Sequence, residues 1–151
     1  MTKWLDVAAD DPEFAARVRA VFDSGTNKTM ATLRLDGSPR ISATELKFEN
    51  EVTLGMMPDS LKLRDVLRDG RVAIHSPTLE PPTDNSGWQG DAKLAGVLVT
   101  IPPPADNEIE GAAFFALDIS EVAWTYLGEP ADHLVIESWH PGRGWQRVTR
   151  N

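Results

Sequence analysis

The chain has 151 residues, 41 % apolar and 25 % charged, with a formal net charge of −8. These values fit one globular domain spanning residues 1–151, and they argue against a duplex nucleic-acid binder or a protein that docks on anionic lipid. There is no cysteine, which excludes disulfides, thiolate nucleophiles and Cys-based metal centres.

The opening "MTKWLDVAADD" lacks the apolar stretch of a signal peptide, and no apolar run nears the roughly 20 residues of a membrane span. A cytoplasmic protein is the expectation. Residues 11–24, "DPEFAARVRAVFDS", predict an amphipathic helix. Asp11 can cap it, Pro12 suits its first position, and Phe14, Val18, Val21 and Phe22 form one stripe. Gly25 is placed to end it.

"TMATLRL" (29–35) and "RISATELKF" (40–48) alternate in the manner of strands around the turn signal "DGSP" (36–39). A reversal at 49–50 leads into "EVTLGMM" (51–57), which predicts a three-stranded antiparallel meander. A helix follows from Asp59 and Ser60 to Gly70, with a narrow stripe of Leu63, Val66 and Leu67. "RVAIHS" (71–76) is a short strand, and 77–91 is a long polar loop of the kind that often carries function. "AKLAGVLVTI" (92–101) is a strand whose Gly96 marks a bulge or a close approach. "FFALDISEVAWTYL" (114–127) is one bent strand or two, and 133–140 with 144–150 close the chain as a hairpin around "PGRG". About seven strands and two short helices, without βαβ periodicity, suggest an antiparallel barrel or sandwich.

One charge is oddly placed. Lys62 lies in the first turn of the helix after Ser60, where the N-terminal partial positive charge favours Asp or Glu. It is either a solvated lysine steadied by Asp59 or Asp65, or one arm of an anion site, most often for phosphate. Arg40, after the "DGSP" turn, is a candidate second cation. His75, His133 and His140 lack metal-ligand spacing, and no nucleophile, Walker or H-E-x-x-H motif is present. Trp88 reads as an anchor of its loop, with a cover for a planar ligand as the sharper alternative.

"MATLRLDGSPRISATELKFENEVTLGMMPDSLKLRDVLRDGRVAIHS" resembles the core of the pyridoxamine 5′-phosphate oxidase-like, FMN-binding split-barrel family. The matches are Asp36, Gly37, Pro39, Arg40, Ser60, Lys62, Arg64, Arg71 and Val72, and "GDAKLAG" (90–96) and "IESWHPGRGWQRV" (136–148) add to them. The resemblance implies a mainly β fold, a six- to seven-stranded antiparallel split barrel with short helices, assembled as a homodimer with FMN at the interface. It places Arg40, Ile41, Ser42 and Ala43 along the flavin, Gly55, Met56 and Met57 near its ring or ribityl chain, and Ser60 and Lys62 on its phosphate. The implied activity is hydride transfer to or from a small-molecule substrate, with no metal. The alternatives are an F420-dependent reductase, whose acidic tail would need further cations such as Lys28, Arg34 or Arg64, and a non-catalytic flavin- or haem-binding protein.

The apolar residues on both faces of 92–101 and 114–122 independently suggest a face covered by a second copy.

Overall fold

A computed structural model describes all residues 1–151. Three helices precede or interrupt a nine-stranded, wholly antiparallel sheet. Helix α1 (Trp4–Asp10) was not expected from the sequence. It is held by Trp4, whose buried ring meets Phe48 edge-on with centroids 5.0 Å apart. Helix α2 (Pro12–Phe22) follows its pattern closely. Asp11 accepts from the Phe14 N–H at 3.1 Å, Pro12 opens the helix, and Phe14, Val18, Val21 and Phe22 are all buried. The helix ends before Gly25, at the Asp23 cap.

β1 (Lys28–Leu33) and β2 (Pro39–Thr44) form the expected hairpin. Its turn places Gly37 at φ +85°, a conformation that costs little only without a Cβ. The expected third strand of the meander is present, but the middle one is not continuous. The 40–48 run breaks at Glu45 and Leu46, and β3 (Lys47–Phe48) pairs with β4 (Val52–Met56). Helix α3 (Leu61–Arg68), β5 (Arg71–His75), β6 (Asp91–Ile101), β7 (Ala113–Leu127), β8 (Leu134–His140) and β9 (Gly144–Arg150) follow.

The main strand order is β2-β1-β5-β6-β7-β4-β3. Its two ends are consecutive in the chain, separated only by Glu45 and Leu46. Flat strands would place those ends about 29 Å apart at 4.8 Å per strand. The link from Thr44 to Lys47 reaches about 10 Å at most. The sheet therefore curls into a barrel whose ladder stays open, the seam being bridged by the chain itself.

Strand β7 explains why the barrel is split. Along one edge it pairs with β4 through Ala113–Ala116 and with β8 through Val122–Leu127, so the sheet branches and β8–β9 leave the barrel. The run 114–127 is thus one strand, with a register shift opposite Ala95 and Gly96. Gly96 sits beside the bulge, whose unpaired residue is Ser120 of β7, and it is a close approach, since a Cβ there would lie 2.0 Å from the Asp118 carbonyl oxygen. Nine strands form where about seven were expected, and the one with no counterpart among the expected runs is β3, split off when 40–48 divides.

Candidate functional site

The region around the start of α3 is built from an edge strand and a helix end. β2 pairs only with β1, so its outer edge leaves backbone groups free. Alternation sends Arg40 and Ser42 to the face of Thr32 and Met30, and Ile41 and Ala43 to the opposite face. Ser60 caps α3, its Oγ accepting from the Leu63 N–H at 3.3 Å. The first turn holds no acidic residue, and Asp59 lies just outside it in the left-handed region at φ 63°.

Lys62 is half-buried and reaches back to β2, where its Nζ donates to the Ala43 carbonyl at 2.7 Å. Burial pulls its pKa below the ordinary lysine value. It makes no ion pair: Asp59 does not meet it, and Asp65 is engaged elsewhere. An ammonium has three donors, and one carbonyl accounts for one of them.

Asp65 is the residue that sequence reasoning missed. Leu67, assigned to the stripe of α3, is 66 % exposed, whereas Asp65 is 2 % exposed. The exchange is possible because Asp65 is fully partnered. Its carboxylate accepts from Thr32 Oγ1 at 2.8 Å, Arg40 Nε at 2.7 Å and Arg68 at 3.2 Å. Burial alone would raise its pKa, but the hydrogen bonds from Arg40, Thr32 and Arg68 outweigh it and the net shift is downward. The visible signal was a D-x-x-R pair, Asp65 and Arg68, beside Leu63 and Val66. Asp65 uses one edge of Arg40 and fixes that guanidinium beside the edge strand.

The structure joins β2 to α3 at two points, Lys62 to the Ala43 carbonyl and Arg40 to Asp65, while Ile41 faces the other way. The β4 residues are placed differently. Gly55 is the position against which the Phe114 ring packs, since a Cβ would come within 2.9 Å of it. Gly55 lines a cavity of about 470 Å³ with Glu45 and Leu46 of the seam. Met56 is 3 % exposed and its side chain belongs to the core, and Met57 is exposed just beyond the strand. Of the extra cations, Lys28 is buried and donates to the Gly25 and Thr26 carbonyls, and Arg34 turns to the Pro39 carbonyl at 3.4 Å.

The remaining sequence candidates have structural partners. His75 meets the Ser76 carbonyl, and His140 bonds Glu121 at 2.8 Å. Trp88 anchors its loop by donating to the Leu79 carbonyl at 3.1 Å. No group of three or more His, Asp or Glu side chains could hold a metal ion. No helix is long and apolar enough to cross a membrane.

A flat surface lies on the other face of β2. In one row across the strands, Ile41, Ala31, Ala73 and Ala95 lie side by side and end at Glu121. They floor a shallow, largely apolar groove of about 220 Å³. Ile41 is 74 % exposed, and Val97 and Val99 on the same face of β6 are also exposed.

This architecture is an open, split β-barrel, and several solved structures share it. A pyridoxamine 5′-phosphate oxidase-related, FMN-binding protein of Nostoc punctiforme PCC 73102 superposes with a TM-score of 0.66 at 13 % identity, over 97 % of this chain and 99 % of that one. PhzG of Burkholderia lata 383, solved with tetrahydrophenazine-1-carboxylic acid, gives 0.67 at 11 % identity, over 99 % and 96 %. An F420 reductase gives 0.51 at 16 % identity, over 68 % and 92 %. No family model matches the chain, and no curated protein does. The likeness is one of fold, and it bears out the split barrel expected from the sequence.

Proposed function

We propose that the chain binds FMN through its phosphate at the corner between β2 and the start of α3, and serves hydride transfer to or from a small substrate. The observation that carries this reading is Lys62: a half-buried ammonium at an N-terminal helix turn without acidic residues, whose one partner is a neutral carbonyl. A phosphate brings the negative charge that this helix end lacks, and a helix N-terminus is a general site for such anions.

Two further features fit the group. Ser42 Oγ is buried on β2 with no hydrogen-bond partner, which leaves it free for a ligand. Arg40 is fixed by Asp65 through Nε, so its remaining N–H groups stay available. Arg40, Ser60 and Lys62 would hold the phosphate, and the free edge of β2 would offer backbone groups to the ring. Hydride chemistry is supplied by the flavin itself. The protein's part is to position it, and no catalytic acid or base is required of the chain. FMN fits better than F420 in that Lys28, one of the cations an acidic tail could use, is buried and already donates to the Gly25 and Thr26 carbonyls.

The same reading includes a second copy of the chain. The row from Ile41 to Ala95, with Val97 and Val99, is an apolar face that a C₂ partner would cover. Light scattering should give a dimer at micromolar concentration, and a monomer would remove this part of the proposal.

The purified protein should be yellow or take up FMN in a saturable titration. A Soret band, or no saturable binding of FMN, would refute the FMN reading.

A further inference from the structure

Away from the β2–α3 corner, α2, the end of the 77–91 loop and the branch of the sheet enclose a second cavity of about 560 Å³. It shares no residue with that corner. Arg17, Trp88, Trp124, Tyr126, His133 and Arg147 line it, so aromatic walls stand beside polar and cationic groups, and a concave, ligand-sized cavity is the usual form of a small-molecule site.

The walls are fixed in advance. Trp124 is buried and stacks on Tyr126 with ring centroids 3.9 Å apart at 25°. The Trp124 indole N–H donates to the Gln89 carbonyl at 2.8 Å, and the Trp88 N–H to Leu79. The loop end is pinned as well. Gly90, at φ +85°, lies so close to β7 that a Cβ would come within 2.2 Å of the Thr125 carbonyl oxygen. Tyr126 donates to Glu137 at 2.6 Å, and the other Glu137 oxygen accepts from Trp145 at 2.8 Å.

Every polar tip of these aromatic rings is therefore already used. What remains for a ligand is flat apolar surface and the guanidinium donors. Arg147 stands opposite Glu137 on the β8–β9 ladder and beside the Tyr126 hydroxyl, but no carboxylate closes on its guanidinium within ion-pair distance. Arg17, 5.6 Å over the Trp124 ring, is tied only to the solvent-exposed Glu13. Glu129 also lines the cavity but stands exposed at its rim. Guanidinium groups donate and cannot accept, and they pair best with carboxylates.

We infer that this cavity is a binding site for a small planar aromatic carboxylate, its ring against the Trp88–Trp124–Tyr126 walls and its carboxylate on Arg147 and Arg17. The site is independent of the flavin proposal.

Calorimetric titration with anthranilate tests it, with anthranilamide as the neutral isostere. Anthranilate should bind saturably at one site per chain, and anthranilamide about tenfold or more weaker, the scale of one charge-assisted hydrogen bond. Arg147→Gln, an exposed substitution, should bring anthranilate down to the level of the amide and leave the amide unchanged. Prior saturation with FMN should not alter the anthranilate affinity. Absence of saturable heat, equal binding of the amide, indifference to Arg147→Gln, or competition by FMN would each overturn the inference.

Discussion

The corner of β2 and α3 and the branch of β7, β8 and β9 organise polar groups in opposite ways. At the corner, one buried carboxylate, Asp65, gathers Thr32, Arg40 and Arg68, and the positive charges stand near an edge strand. At the branch, half-exposed Glu137 ties Tyr126 and Trp145, and the aromatic rings form the walls. The corner places charge by burying its opposite. The branch places flat surface by satisfying the tips of the rings. The first arrangement is stabilising only while Asp65 is ionised, and the second depends little on any one charge.

The comparison breaks first at Asp65. Asp65→Ala leaves Arg40 and Thr32 facing a cavity without their acceptor and should cost about 3 kcal/mol or more in urea denaturation. An unchanged midpoint would show that Asp65 does not hold the corner. The same network should fail in acid. Asp65 has a lowered pKa in the folded state, so its contribution is fully present above the ordinary value of 3.8 and is lost as pH falls through the lowered one. Asp65→Asn should flatten that acid limb of the stability curve.

Lys62→Ala should leave the fold intact and weaken FMN by about 1–3 kcal/mol, read by fluorescence titration. A folded variant with unchanged affinity would take Lys62 out of the site. Because burial lowers the Lys62 pKa, the phosphate should lose its cation as pH rises, starting below the ordinary lysine value of 10.5. The wild-type FMN affinity should fall on that alkaline side, and the Lys62→Ala affinity should not follow it. The smallest effect belongs to the branch. Tyr126→Phe removes one half-buried hydrogen bond to Glu137 and should cost about 1 kcal/mol, measured by thermal or urea unfolding.

These two regions were not equally legible in the sequence. α2, the "DGSP" hairpin, the Ser60 cap and the unusual Lys62 follow from local rules of capping, turns and helix charge, and each is found where its residues place it. Asp65 was hidden because a polar residue on a helix reads as solvated unless its partners are known, and Thr32 and Arg40 come from other strands. The meander failed for a similar reason. Alternation gave two strands and a reversal, but only the curl of the whole sheet decides that β2 and β3 lie at opposite ends of the order. Of the aromatic cavity, the sequence hinted only at Trp88. Arg17 and Arg147 lie near opposite ends of the chain and meet only because β8 and β9 fold back beside α2.

The short join at Glu45 and Leu46 has its own consequence. Elsewhere the girth of the barrel is set by ladders, and a change in one strand must be matched in its neighbour. At the join, no ladder crosses the gap. Added or deleted residues there would widen or tighten the seam without breaking a rung, which makes this the position where the barrel tolerates a change of length most readily.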